Sequence, residues 1–183
     1  MVLENGAWTQ ETADETHQSS PNLAKFLIGY LSKDRPVYDF GCGIAYYLHH
    51  LAKEGFECVG VEGFQLNNFL HDDVIVHDLS HPFDMGEPGH VISLEVGEHI
   101  PKVGEQSFLD NIARNCNGKL IFSWALPNQP GVGHVNCQPQ QYIIREVERR
   151  GFRYLKEETI ETRKIIEDNV DWFRRTLLIF ERV

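Results

Sequence analysis

Strand-like runs that alternate with helical patterns predict an α/β fold: a mostly parallel seven-stranded sheet with helices on both faces, ending in an antiparallel strand pair. Three observations carry this reading. Short apolar runs recur between helical patterns from Val37 onward, two glycines (Gly41 and Gly43) separate the first run from a helix, and the last two runs lie close in sequence.

Residues 1–18 are polar and read as a segment that is mobile or that orders over a ligand. Ser20 then serves as an N-cap with Pro21 at the first helical position, and Leu23, Phe26, Leu27, Tyr30 and Leu31 follow at helical spacing. Val37–Phe40 is the first strand. Ile44–Glu54 is a helix stopped by Gly55, and Cys58–Val61 is the second strand. Val74–His77 and Val91–Leu94 are strands three and four. Ser107–Asn115 is a helix, Asn115–Gly118 a turn, and Lys119–Trp124 the fifth strand. Pro139–Arg150 is a helix closed by Gly151, and Phe152–Leu155 and Thr176–Phe180 are the final strands. Residues 157–171 carry no decisive pattern.

At 183 residues one domain is expected, with 1–36 as an amino-terminal helix-and-lid region and 37–183 as the core. No apolar run approaches the roughly 20 residues of a membrane span. No leader is visible in the acidic first residues, and a cytoplasmic location is expected. Cys42, Cys58, Cys116 and Cys137 form no CxxC pair, which argues against disulfides and a zinc knuckle. The formal net charge of -10 disfavours a polyanion partner. The strip Arg145, Arg149, Arg150 and Arg153 keeps nucleic acid open as a weak alternative to a solvated helix face.

The stretch from Asp39 to Glu62 carries the chemistry. A glycine turn between strand and helix lets a ligand approach the backbone, and a dinucleotide site there follows GxGxxG. Counting from Gly41, the third position is Tyr46, and Asp39 would repel a phosphate. The acid suits a ligand that is cationic and phosphate-free. Asp39 would organise the turn and attract an ammonium group. Glu62, with two acceptor oxygens, suits vicinal ribose hydroxyls, and Asp78 with Leu79 suits an adenine.

These segments resemble the class I S-adenosylmethionine (SAM)-dependent methyltransferases, which have a Rossmann-like fold. "DFGCGIA" is similar to the family's acid-and-glycine signature, with Ala45 in place of its last glycine. "VGVEG", "VIVHDLS", "VISLEVGEHIP" and "GKLIFSWALP" are similar to the segments ending strands two to five, the fourth in the small-molecule branch that includes ubiquinone-biosynthesis enzymes. The resemblance implies SAM as cofactor, bound by Asp39, Gly41, Gly43, Glu62, Asp78, Leu79 and Glu95. It implies methyl transfer to a small acceptor, through a hydroxyl or carboxyl oxygen.

Base candidates are His134, His99 and Glu98, and His17, Trp8 and Asn136 are expected to touch substrate. His77 and His81 are four apart but lie on a strand end and turn, so no metal is expected. No Asp/Asn-Pro-Pro-Tyr/Phe segment follows strand four and no Pro-Cys pair occurs, which removes the usual DNA-base chemistries. The alternatives are a methyltransferase acting on an RNA end or a protein, and a non-catalytic nucleoside-binding partner subunit.

Overall fold

A computed structural model of the chain describes residues 1–166 and 170–183. The element order is α1 (Gln10–Thr16), α2 (Pro21–Tyr30), β1 (Val37–Phe40), α3 (Tyr46–Lys53), β2 (Cys58–Glu62), β3 (Val74–Val76) and β4 (Gly89–Leu94). There follow α4 (Glu105–Asn115), β5 (Cys116–Ser123), α5 (Gln140–Glu148), β6 (Phe152–Tyr154), α6 (Lys156–Ile165), α7 (Phe173–Thr176) and β7 (Leu178–Arg182). The seven strands form one sheet in the order β3-β2-β1-β4-β5-β7-β6. Strands β1 to β5 pair in parallel, and β7 runs antiparallel between β5 and β6. The expected α/β sheet with its antiparallel carboxyl-terminal pair is present.

Strand alternation divides the core. Val37, Ile92, Ile121 and Ile179 pack with α2, α3 and the region of α7. Tyr38, Phe40, Val91, Leu120, Phe122, Leu178 and Phe180 pack with α4 and α5 on the other face. Each strand therefore spends successive residues on opposite cores, as a sheet covered on both faces must. The Ser20 hydroxyl accepts from Leu23 N at 3.0 Å, which starts α2 as the sequence suggests. Leu23, Leu27 and Leu31 bury fully, while the Phe26 and Tyr30 rings stack at 4.7 Å on the rim.

Two expectations need correction. The segment Asn115–Gly118 is no turn: α4 ends at Asn115 and β5 begins at Cys116, opposite Gly89. Its cause is His90, whose Nδ1 accepts from Lys119 N at 2.9 Å while its ring lies over Gly118, where a Cβ would collide. Thr176 closes α7 rather than opening a strand, and β7 starts at Leu178. Residues 1–18, read as mobile or as ordering over a ligand, contain the helix α1, with Thr12 and Ala13 buried. Of the unassigned stretch 157–171, residues up to Ile165 belong to α6, and 167–169 lie outside the described residues.

The arginine strip is largely neutralised. Arg149 pairs with Glu146 at 2.6 Å, Arg150 with Asp110 at 2.7 Å and Glu146 at 3.2 Å, and Arg153 with Glu181. Among the described residues no helix is long and apolar enough to cross a membrane.

One buried side chain ties α4 to the loop after β3. Asn111 Oδ1 accepts from Phe83 N at 2.8 Å, and its Nδ2 donates to the carbonyls of Leu79 (3.0 Å) and His81 (2.7 Å). Asn111→Ala leaves these backbone groups unpaired. Urea denaturation should show a loss of about 2–3 kcal/mol, because each stranded polar group costs roughly 1–3 kcal/mol.

Candidate functional site

β1 lies between β2 and β4, where the chain order reverses, so a crevice opens at the carboxyl ends of these strands. The turn after β1 is wound left-handed at Gly41 (φ 81), Gly43 (φ 54) and Ala45 (φ 61). The first two positions need glycine for space as well: a Cβ on Gly41 would strike Val96, and one on Gly43 would strike the His17 ring. Ala45 holds a conformation that costs a non-glycine residue about 1–2 kcal/mol. Its departure from the glycine signature is therefore not free, and it delays the start of α3 to Tyr46.

Glu62, at the end of β2, holds this turn. Its Oε2 accepts from Gly43 N and its Oε1 from Gly63 N, both at 2.8 Å. The Phe64 backbone N–H also bears on this carboxylate. Burial pushes its carboxyl upward, and the backbone N–H groups pull it back. Asp39, one residue before the end of β1, is buried beside it. Its carboxyl is pushed up to about 8 by burial and then by the Glu62 charge.

The cavity here is lined by Asp39, Gly41, Gly43, Glu62, Asp78, Leu79, Glu95 and His99. Four carboxyl groups line it, and no lysine or arginine among the described residues does. Asp78 is partly engaged: its Oδ1 accepts from Ser80 N at 2.9 Å, and its Oδ2 lies 3.2 Å from His81 Nδ1. Leu79 is buried, and its carbonyl is fixed by Asn111.

The amino-terminal segment roofs the cavity. Val2 and Trp8 form a β-bridge, and the terminal ammonium bonds Thr9 Oγ1 at 3.1 Å and Thr12 Oγ1. This folds residues 1–9 into a strap. Ala7 rests on Gly63, and Gly6 lies against the His99 carbonyl so closely that a Cβ would collide. Trp8 stands edge-on to His17 (6.4 Å between centroids) and to His99 (5.2 Å). Trp8 Nε1 and His17 Nδ1 are buried with no hydrogen-bond partner. Burial lowers the pKa of His17.

Beyond β4 stands a second polar group. Glu95 is left-handed (φ 53), its Oε2 accepts from Gln129 at 2.8 Å, and its buried Oε1 has no partner. Glu98 is fully buried, its oxygens without a hydrogen-bond partner of ordinary geometry and close to the Glu95 carboxyl. Burial, then the Glu95 charge, pushes its carboxyl well up. His99 is pulled down to about 4 by burial and by His134, whose ring centroid lies 5.0 Å away.

The sequence-selected residues Asp39, Gly41, Gly43, Glu62, Asp78, Leu79, Glu95, His17, Trp8 and His99 thus meet around one cavity. Glu98 and His134 do not line it but stand behind His99, their carboxylate and Nε2 3.9 Å apart. Asn136 is a different matter. It is buried, its Nδ2 donates to Glu105 at 2.9 Å, its Oδ1 accepts from Gln138, and its carbonyl takes the Trp124 indole N–H. It pins a loop and presents no free group to a substrate. Sequence reasoning missed Asn5, Gly6, Val96, Trp172 and Phe173, which also line the cavity. An aromatic pair within a charged stretch was the available signal for the last two.

No family model matches the sequence, and no curated protein matches it. Solved structures do match. A TehB-like SAM-dependent methyltransferase from Corynebacterium glutamicum is 17% identical, with 94% of this chain and 93% of that chain covered and a TM-score of 0.65. Magnesium protoporphyrin IX methyltransferase from Synechocystis, with bound S-adenosylhomocysteine (SAH), is 17% identical over 95% of this chain and 83% of that one, at a TM-score of 0.61. The CcbJ methyltransferase of Streptomyces caelestis is 11% identical over 98% of both chains, at 0.66. The chain shares the Rossmann-like fold of these methyltransferases.

The raised Asp39 carboxyl makes stability depend on pH. Its folded value is about 8, against about 4 in an unfolded chain. The ligand-free folded state therefore holds the proton more tightly, and the stability this contributes is present below about pH 4 and lost as pH rises through about 8. The melting temperature should fall between pH 5 and 8.5, and Asp39→Asn should make that fall shallower. Equal slopes in the two proteins would show that Asp39 does not titrate in this range.

Proposed function

We propose that this protein is a SAM-dependent methyltransferase acting on a small, hydroxyl-bearing acceptor. The observation that carries the reading is the charge of the cavity: four carboxyl groups around a glycine turn, with no lysine or arginine lining it among the described residues. Such a wall repels phosphates and attracts a cationic nucleoside. Bound SAM supplies a methyl group on a positively charged sulfur, the chemistry this wall favours.

The residues fit that group. Gly41 and Gly43 leave a cradle that a Cβ would fill. Glu62, which takes backbone N–H groups from Gly43, Gly63 and Phe64, keeps acceptor capacity for a ribose hydroxyl. Asp39 gains its charge beside an ammonium group, which offsets the burial that otherwise keeps it protonated. Asp78 and Leu79 form the side suited to adenine, though the turn made by Asp78 leaves its carboxyl only partly free. Trp8 and His17 close the cavity from above and exclude water.

Glu95 is assigned the acceptor side. Glu95 lines the cavity with one carboxylate oxygen held by Gln129, and Oε1 is the oxygen assigned to take a hydroxyl proton. His99, held neutral by its lowered pKa, borders the same space as a hydrogen-bonding wall. The acidic surroundings disfavour a carboxylate acceptor, so the hydroxyl is the better of the two oxygen types. The likeness of "VISLEVGEHIP" to the ubiquinone-biosynthesis branch is consistent with a small acceptor.

Calorimetry tests the reading. SAM and SAH should bind and NAD should not. Asp39→Asn and Glu62→Gln should each weaken SAM by about 1–3 kcal/mol, the range for a hydrogen bond to a charged group. In a labelled-methyl screen over hydroxyl compounds, Glu95→Gln should lower kcat by about 10²–10⁴ while leaving SAM affinity little changed. Binding of NAD in preference to SAM and SAH would sink the assignment.

A further inference from the structure

Behind the cavity wall, Glu98 presents a problem of chemistry. It is fully buried, and its carboxyl oxygens have no hydrogen-bond partner of ordinary geometry, with the Glu95 carboxyl and the Ala125 backbone as their polar neighbours. Its backbone carbonyl accepts from both Val135 N and Asn136 N at 2.9 Å, which holds the 129–138 loop against it. That loop delivers His134, whose Nε2 lies 3.9 Å from Glu98 Oε1.

The tautomers follow from the partners. His134 Nδ1 lies 3.1 Å from the Gln129 carbonyl, which only accepts, so Nδ1 carries the proton. The Nε2 lone pair then faces a carboxylate oxygen. His99 repeats the arrangement, with Nδ1 3.3 Å from the Gly133 carbonyl. An imidazole lone pair and a buried carboxyl oxygen thus face each other, a pairing that either a proton or a bound cation would satisfy.

We propose that Glu98, His99 and His134 form a binding site for one first-row divalent cation, zinc first among them. Their donor atoms all lie within 4.8 Å of one another. Donors on a tetrahedral zinc stand about 3.4 Å apart, with bonds of roughly 2.0–2.2 Å, so small side-chain rotations close the set. Two imidazoles and one carboxylate are a zinc-type donor set and poor for magnesium. Imidazoles whose second nitrogen donates to a backbone carbonyl match the support that ligating histidines need. The loop is shaped for it: a Cβ on Gly131 would occupy the space of the His134 ring, and Gly133 is left-handed (φ 83) beside His99.

Sequence spacing hides such a site, because its ligands come from adjacent positions and from a loop 35 residues on. His99 also lines the cavity, which places the cation next to Glu95 on the acceptor side. A role in activating the acceptor hydroxyl rests on the methyltransferase reading; binding of the metal does not.

The test uses the full chain, stripped of metal, with Zn²⁺ competed against a chromophoric chelator and Co²⁺ as a spectroscopic substitute. One equivalent of zinc should bind, and Co²⁺ should show the visible bands of a tetrahedral site. His134→Ala should weaken binding about tenfold or more. This loop substitution leaves the core intact, and Glu98→Gln is the second variant. Exposed histidines such as His81 persist in both variants and in the parent, so adventitious binding cancels in the comparison. Equal zinc affinity in the parent and His134→Ala, or no zinc bound, overturns the site and favours a proton held by the buried carboxyl pair. SAM binding measured on the same samples keeps the two claims apart: zinc without SAM removes only the methyltransferase reading, and SAM without zinc removes only the metal.

Discussion

One carboxylate holds the cavity together. Glu62 spans two loops, taking a backbone N–H from Gly43 with one oxygen and from Gly63 with the other. The left-handed winding costs conformational energy at Ala45, and the charge-assisted bond from Gly43 N to Glu62 helps hold the turn. With the turn fixed, α3 starts at Tyr46, and Tyr47 and Leu48 enter the core beneath the site. Gly60 in β2 belongs to the same device: a Cβ there would press on Cys42 Sγ at 2.7 Å, inside the turn.

Burial of the acids has a purpose beyond geometry. A solvated carboxylate would attract any cation weakly, whereas Asp39, Glu62 and Glu95 are held where charge is unfavourable until an opposite charge arrives. The protein thereby stores discrimination against anionic ligands in its own electrostatics. The cluster of Glu98, His99 and His134 extends the same logic one layer deeper.

Much of this was legible in the sequence, for a physical reason. Gly41, Gly43, Glu62 and Asp78 sit at strand ends, where strand periodicity breaks and a local pattern announces itself. The seven strands were readable because each is a short apolar run bounded by polar residues. What escaped notice depends on contacts between distant segments. The strand start at Cys116 relies on His90 reaching Gly118 and Lys119. Ala45 gave no hint of its left-handed backbone, since alanine is ordinarily a helix former. Trp172 and Phe173 reach the cavity from the far end of the chain, and no spacing rule links them to Asp39. Asn136 looked free in its glycine-rich loop, yet its partner Glu105 lies 31 positions away.

The strap of residues 1–9 rests on the binding loops themselves: Ala7 on Gly63, with His17 just beyond the strap on Gly43. A ligand seated against those glycines would lie beneath this cover. If the cavity takes the proposed nucleoside, its entry and release would require the roof to peel from the loops beneath it, which would couple turnover to how firmly residues 1–9 are moored.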